Sequence, residues 1–195
     1  MTVSMHSPSE YLGPRALAFH PTLAVVYFSD EQGCSVTAYT INSSSGVLTP
    51  FQTISTLPSG YSGMNTCSQI HITASGKFLF APNRGHNSIA SFLVDGSTGR
   101  LTAAGRVGTE PVPRAFGVDP DGRFLYAAGQ QSSRLASYRI DHSKKTLKPL
   151  GLTDIGANAA YVSVDRTGRT LLWASYSGGV VGSHSIAKNG TIQKG

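Results

Sequence analysis

The stretch that decides the fold is residues 70–87, IHITASGKFLFAPNRGHN. It opens with an alternating run around Ile70 and Ile72, turns at Ser75 and Gly76, and continues as a mostly apolar run. A polar segment, NRGH at 83–86, closes the second run. Period-two alternation followed by turn residues and an aromatic-rich run predicts a β-hairpin.

The same hairpin recurs three more times along the chain. Its first strands align as LAFHP (17–21), HITAS (71–75), GVDPD (117–121) and SVDRT (163–167). Their reference positions lie 53, 46 and 46 residues apart: Phe19, Ile72, Val118 and Val164. A predicted third strand in each unit keeps the same spacing at Tyr39, Phe92, Tyr138 and His184. Two independent landmarks with one spacing indicate an internal repeat of about 46 residues.

A turn near the end of each unit leads into a predicted fourth, outer strand, as at Gly46, Gly99 and Gly190. Four strands per unit at this period are typical of a β-propeller blade. We therefore predict an all-β chain, a single β-propeller domain of about four four-stranded blades. The predicted units are residues 13–54, 67–107, 113–153 and 157–195.

Closed propellers have typically four to eight blades, and an open ring exposes strand edges and apolar faces. Three alternatives follow: a closed four-blade ring, association of copies as a homo-oligomer through open blade edges, or a piece of a larger propeller.

The spacing between the first two units is seven residues longer than the later spacings. The extra residues fall in the Gly/Ser/Pro-rich segment 55–66, where an insertion either borders a ligand site or is a plain surface loop.

Composition limits the classes of function. No apolar segment approaches the roughly 18 residues of a membrane span, and residues 1–11 lack the features of a signal peptide, so we predict a cytoplasmic protein without membrane partners. The net charge is +6, but the basic residues are dispersed, many in repeat turns such as Lys77, Arg123 and Arg169. This argues against nucleic acid and favours an anionic small molecule bound by isolated arginines.

Several polar residues stand at predicted strand ends, where blades of a propeller converge. In the repeat register, Arg15 and Arg114 precede equivalent first strands, whereas Glu31 and Arg84 follow equivalent second strands. Arginines at such a position suit an anionic ligand, although solvated or blade-bridging arginines are the alternative. His86 either orients a substrate oxygen or stabilises its own turn.

Four segments carry a resemblance to a known family: GPRALAFHP (13–21), SDEQGCSVTAY (29–39), residues 65–92 and PRAFGVDPDGRFLYAAGQ (113–130). They resemble the bacterial lactonase family of 6-phosphogluconolactonases, which includes fungal carboxymuconate-lactonising enzymes and folds as a seven-bladed propeller. Residues 156–190 resemble a blade near the family's N-terminus. In the family that blade precedes the GPR blade, whereas here it follows the later blades, so the resemblance implies a shortened propeller that is either permuted or altered in its last repeat by independent drift. The length excludes a complete seven-bladed monomer.

The resemblance implies a hydrolase of carbohydrate metabolism, in the pentose phosphate pathway, that converts 6-phosphogluconolactone to 6-phosphogluconate without a metal or cofactor. It implies a catalytic role for Arg84 and a role for Glu31 as base or hydrogen-bond acceptor, with an exposed turn glutamate as the alternative. We expect His86 to act with them in catalysis, unless it only stabilises its own turn. Substrate-binding roles are expected for Arg15, Arg114, Asn83 and His71, although a hydrogen-bonded core position is the alternative for His71.

Two residues depart from the family pattern. Ala16 replaces the histidine of the family's GPRH motif, and Gln69 stands where an acidic residue commonly precedes the IHI strand. These departures favour the rival hypothesis, in which the chain is a non-catalytic propeller remnant that binds a ligand or serves as a scaffold.

Overall fold

The computed structural model of the protein describes residues 11–193, in which every helix-or-strand element is a β-strand. The strands form four antiparallel sheets, here called blades 1 to 4 in chain order. Blade 1 contains β1 (Pro14–Phe19), β2 (Val25–Asp30), β3 (Ser35–Ile41) and β4 (Leu48–Ser55). Blade 2 contains β5 (His71–Ile72), β6 (Phe78–Asn83), β7 (Ser88–Val94) and β8 (Leu101–Gly108).

Blades 3 and 4 continue the pattern. Blade 3 contains β9 (Pro113–Val118), β10 (Phe124–Gly129), β11 (Arg134–Asp141) and β12 (Thr146–Asp154). Blade 4 contains β13 (Tyr161–Val164), β14 (Thr170–Ser175) and β15 (Val180–Ser185). The prediction of about four propeller blades is confirmed. The fourth outer strand, however, is reduced within residues 11–193 to a single bridge between Ile186 and Ile192.

The hydrophobic core consists of three layers, one between each pair of consecutive blades. Tyr27 and Val36 of blade 1 pack with Leu79 and Phe92 of blade 2. The second layer joins blades 2 and 3, and the third joins blades 3 and 4 around Trp173. Successive side chains of a strand point to opposite faces of its sheet, so each internal blade packs one face against each of its two neighbours. The central strands of blades 2 and 3 are therefore buried on both faces.

Buried tyrosines connect neighbouring blades through their hydroxyl groups. Tyr27 donates a hydrogen bond to the carbonyl of Gly99 at 2.8 Å, and Tyr126 donates to the carbonyl of Gly190 at 3.1 Å. Both glycines have positive φ, and a Cβ on Gly99 would lie 3.0 Å from the Tyr27 hydroxyl. The equivalent second-strand position in blade 2 is Phe80, which has no hydroxyl to donate. The two Tyr–Gly pairs thus occupy equivalent repeat positions, and they begin at blades 1 and 3.

The blades share two common ends. We call the end where first strands begin and second strands end the upper face, and the opposite end, which carries the turns between first and second strands, the lower face. The outer sheet surfaces of the terminal blades expose large apolar side chains. Leu17 and Phe19 are exposed on blade 1, and Tyr161, Leu172 and Val181 on blade 4.

Candidate active site

Three of the predicted residues meet on the upper face between blades 1 and 2. The Glu31 carboxylate accepts a close contact from Arg84 Nη2 and lies 3.3 Å from Arg15 Nε. Arg84 Nη2 also donates to the Cys67 carbonyl at 3.1 Å. The side chains of Arg84, Arg15 and Glu31 are 16%, 27% and 28% exposed, so all three are partly accessible to solvent. We call this group the Glu31 cluster.

The backbone explains why residues so far apart in sequence converge here. Glu31 begins the turn after β2, and Arg84 begins the equivalent turn after β6. The Glu31 amide donates to Gly13 at 2.7 Å, which brings the start of β1 and hence Arg15 alongside. The Glu31 carbonyl in turn accepts from the Cys67 amide at 3.0 Å, which joins the turn to blade 2. The Arg84 amide donates to the Thr66 carbonyl at 2.9 Å, so both turns are held by main-chain hydrogen bonds to the adjacent residues Thr66 and Cys67.

The cluster carries more positive than negative charge. Arg114, at the start of β9, adds a third guanidinium close enough to affect the pKa of Arg15. Burial lowers the pKa of Arg15 most, the Glu31 carboxylate opposes this, and Arg84 and Arg114 lower the pKa further. Two guanidinium groups contact the Glu31 carboxylate and a third lies near Arg15, so the group keeps a positive charge that an anionic ligand would neutralise.

The segment between blades 1 and 2 borders the cluster. Asn65 Oδ1 accepts hydrogen bonds from the amides of Gly85 at 2.9 Å and His86 at 3.0 Å, and the Tyr61 ring lies edge-on to the His86 ring. The segment thus contacts the Arg84 turn, and a border of a ligand site and a plain surface loop both remain predictions for it. Cys67, which follows the segment, is buried, and burial raises its thiol pKa to about 12.

Sequence reasoning missed Arg106, which holds this segment from blade 2. Arg106 Nε donates to the Thr56 carbonyl at 2.5 Å, and its Nη2 donates to the Leu57 carbonyl. Arg106 lies on the outer strand β8, and its partners are main-chain groups 50 and 49 residues away. A carbonyl has no residue-type signature, so no sequence pattern could have identified this contact.

The remaining predicted residues lie around the cluster without joining its ion pairs. His86 Nδ1 is 2.7 Å from Ser88 Oγ. Asn83 is fully buried, and its side-chain amide is occupied by Thr56 and by Asn65. His71 lies edge-on to Phe116 in the interior, and burial lowers its pKa. Substrate contacts by these three residues remain predictions.

The two residues that depart from the family pattern have structural roles. The Ala16 amide is 3.3 Å from Ser29 Oγ, and Ser29 Oγ in turn donates to the Ser68 carbonyl at 2.7 Å. Gln69 Oε1 accepts from the Phe116 amide at 2.9 Å, which connects blade 2 to blade 3. Gln69 therefore bridges two blades by a neutral hydrogen bond, where a carboxylate would add a negative charge.

Residues 11–193 lack two kinds of feature. These residues contain no group of three or more His, Cys, Asp or Glu side chains placed to hold a metal ion. They also contain no helix with the length and apolar character needed to cross a membrane.

With this geometry in place, comparison with known proteins identifies the class. The family model described as "Lactonase, 7-bladed beta-propeller" matches residues 3–155 and 134–195, so the chain belongs to this lactonase family. The two matches overlap, which indicates that the model does not follow the chain in one uninterrupted alignment. The expected permutation of blades remains a prediction.

Individual relatives agree with the family assignment. The chain is 36% identical over 107 residues to a 6-phosphogluconolactonase of Pectobacterium carotovorum, which covers 55% of this chain and 32% of that protein. It is 38% identical over 116 residues to the 6-phosphogluconolactonase of Bacillus subtilis, which covers 59% of this chain and 33% of that protein. The chain thus matches about a third of the length of these curated relatives.

A solved structure shows the same fold. The periplasmic gluconolactonase PpgL of Pseudomonas aeruginosa superposes with a TM-score of 0.71 at 29% identity, over 75% of this chain and 41% of that one. One relative of this fold is thus described as periplasmic, and a cytoplasmic location for the present chain stays a prediction.

Proposed function

We propose that the protein hydrolyses a phosphorylated sugar lactone, with 6-phosphogluconolactone as the default substrate. The observation that carries this proposal is the Glu31 cluster, in which an excess of guanidinium groups surrounds one carboxylate at the upper face of a lactonase-family propeller. The curated relatives named 6-phosphogluconolactonase support the choice of substrate.

The proposed reaction adds water to the lactone carbonyl. The water oxygen bonds to the carbonyl carbon, the bond from that carbon to the ring oxygen breaks, and the ring oxygen gains a proton as the open hydroxy acid forms. In this scheme Arg84 stabilises the negative charge that develops on the carbonyl oxygen. Arg15 and Arg114 bind the phosphate, since guanidinium groups can donate paired hydrogen bonds to it.

Glu31 would accept the proton of the attacking water. Both of its oxygens face guanidinium groups, so the carboxylate has first to be released from at least one ion pair. Binding of the substrate phosphate to Arg15 provides that release, because the phosphate competes with Glu31 for the same donor. His86, beside the Arg84 turn, would then orient a substrate hydroxyl.

The second candidate function is anion binding without hydrolysis. The paired state of Glu31 favours it, because guanidinium groups already occupy both carboxylate oxygens. The alanine at position 16 favours it as well, since no imidazole stands there to transfer a proton. A binding module would keep the arginines and their ligand but would release the lactone unchanged.

One experiment separates the two functions. The hydrolysis of 6-phosphogluconolactone by the wild-type chain is measured against the spontaneous rate, and binding of 6-phosphogluconate is measured by calorimetry. We expect hydrolysis above background and a loss of about a hundredfold in Arg84→Ala, the effect typical of removing one donor to a developing oxyanion. Binding with a rate equal to background would support the binding module and reject the enzyme.

A matched control is available on the same face. Arg134 Nε forms an ion pair with Glu110 at 2.9 Å, outside the Glu31 cluster. Arg134→Ala removes the same charge and should leave hydrolysis unchanged. Equal losses in Arg84→Ala and Arg134→Ala would reject the assignment of the site.

We also propose that copies of the chain associate head to tail through the exposed faces of blades 1 and 4. The apolar side chains there continue the pattern that packs blades together inside the chain, and two arcs of four blades stay within the four to eight blades typical of a ring. Sedimentation should show a dimer that Val181→Glu weakens. A monomer at high concentration would reject this arrangement.

A further inference from the structure

The lower face carries a second concentration of positive charge, away from the Glu31 cluster. The turns between first and second strands of blades 2 to 4 each place a basic residue directly after a glycine of positive φ: Lys77 after Gly76, Arg123 after Gly122 and Arg169 after Gly168. These are repeat-turn cations whose position the proposed lactonase chemistry does not use.

At the junction of blades 3 and 4 the cations line a groove. A cavity of about 830 Å³ is bordered by Arg123, Arg169 and Lys188. A second cavity of about 290 Å³ adjoins it and is bordered by Arg123, Arg139 and Lys188. Arg123 and Lys188 thus stand between the two cavities, with Arg169 on one side and Arg139 on the other. We call the combined space the lower groove.

The Phe124 ring organises part of the groove. Phe124 is 6% exposed and pairs with Arg139 across β10 and β11. The guanidinium carbons of Arg123 and Arg139 lie 5.4 Å and 5.9 Å from its ring centre, within cation–π range. Two of the four cations are therefore held in place before any ligand arrives.

Carboxylate groups neutralise only part of the positive charge of the lower groove. Arg123 pairs with Asp121 at 2.9 Å and lies 3.7 Å from Asp119. Among residues 11–193, Arg139, Arg169 and Lys188 form no ion pair with a carboxylate.

The nearest turn acids are engaged with the backbone. Asp165 Oδ1 accepts from the amides of Arg169 at 2.9 Å and Thr170 at 2.8 Å, and Asp119 Oδ1 accepts from those of Arg123 at 2.6 Å and Phe124 at 2.7 Å. The acids thus shape the turns that present the cations.

We propose that the lower groove binds a small anion with two phosphate groups, a diphosphate. Its larger cavity lies within the few hundred to about 1,000 Å³ typical of small-molecule sites. Because cations stand on both sides of the boundary formed by Arg123 and Lys188, a ligand with two anionic groups can contact both sides at once. A single phosphate reaches one side only. Guanidinium groups supply the paired donors that phosphate oxygens accept.

Calorimetric titration with inorganic pyrophosphate tests the proposal, with orthophosphate as the comparison that has a single phosphate group. The wild-type chain should bind pyrophosphate at least tenfold more tightly than orthophosphate. The double variant Arg169→Gln/Lys188→Gln should weaken pyrophosphate binding by a factor of ten or more, since two charge-assisted contacts are lost. Both side chains are exposed, and thermal melting without ligand checks that the fold is kept.

Two controls separate this site from other sources of affinity. Lys77→Gln removes the equivalent repeat-turn cation of blade 2, and Arg134→Ala removes a cation of the upper face that lies outside the Glu31 cluster. Neither should change pyrophosphate affinity more than twofold. The proposal is overturned if the wild-type chain does not bind pyrophosphate, if the double variant binds as tightly as wild type, or if either control weakens binding as much as the double variant does. None of these results depends on whether the protein hydrolyses lactones.

Discussion

Replacing Glu31 by glutamine should strengthen anion binding and abolish hydrolysis in the same molecule. The carboxylate holds Arg84 and Arg15, so its neutralisation frees two guanidinium groups for an incoming phosphate. It also removes the proposed proton acceptor. A residue that only positioned the arginines would show weaker binding when replaced, and the direction of the binding change therefore distinguishes the roles.

The expected size follows from the charge and exposure of the site. Two unit charges 4 Å apart interact by about 1 kcal/mol in bulk water and by about 4 kcal/mol at the effective dielectric constant of a protein surface. The Glu31 side chain is 28% exposed, so solvent screens part of this energy. Removing the competing negative charge should gain about 1.4 kcal/mol for a bound anion, which is about tenfold in affinity.

The assay combines calorimetry with 6-phosphogluconate and measurement of acid release from 6-phosphogluconolactone. The gain in affinity of Glu31→Gln should shrink as the ionic strength rises from about 0.01 M to about 1 M, because salt shortens the Debye length from about 30 Å to about 3 Å. Glu110→Gln is the matched control, since Glu110 forms an equivalent ion pair with Arg134. Weaker anion binding in Glu31→Gln, or undiminished hydrolysis, would refute the reasoning.

Three further changes test the fold and the border of the site. Tyr27→Phe should lower the free energy of unfolding by about 1 to 2 kcal/mol in urea, because the buried Gly99 carbonyl loses its donor; no change would contradict that role. Burial raises the pKa of the Asp30 carboxyl above its ordinary value of 3.8, so the folded protein keeps this proton at a pH where the unfolded chain has lost it. The stability that this group contributes is present below pH 3.8 and is lost as the pH rises through the pKa of the folded state. The free energy of unfolding of Asp30→Asn, relative to that of wild type, should therefore rise as the pH increases from about 4 to about 7. Parallel curves of stability against pH would contradict this. Arg106→Ala frees two carbonyls of segment 55–66, so limited proteolysis there should accelerate several-fold while the unfolding midpoint changes little; an unchanged cleavage rate would contradict the role.

Most of the fold was predictable because it depends on local patterns that repeat. Alternating apolar residues and positive-φ turns recur at one period, and each copy forms the same sheet. The predictions failed where a strand depends on its neighbours instead of its own pattern. The first strand of blade 2 was expected over residues 71–75, yet only His71 and Ile72 pair with β6. Strand β6, in contrast, continues past Pro82 to Asn83, because both residues are buried and paired with β7.

The site was predictable to the extent that the repeat register places it. Glu31 and Arg84 follow equivalent strands of adjacent blades, so their convergence could be inferred from spacing. The blade-bridging alternative for the arginines also applies, since Arg84 contacts blade 1 through Glu31. The burial of Asn83 could not be inferred, because its partners Thr56 and Asn65 belong to the irregular segment between blades. An asparagine in a turn has the same sequence signature whether its amide faces a ligand or the interior.

The layered core has a consequence for local unfolding. Blades 2 and 3 each contribute to two of the three apolar layers, whereas blades 1 and 4 each contribute to one. In an assembly of repeats whose stability is a sum of nearest-neighbour terms, the units with one neighbour open at the lowest free energy. Backbone amides of β14 should therefore exchange with deuterium sooner than those of β6 or β10, although all three are central strands of their own sheets. Protection from exchange should rise from both ends of the chain toward the junction of blades 2 and 3, so that the molecule loosens by fraying and not in one step.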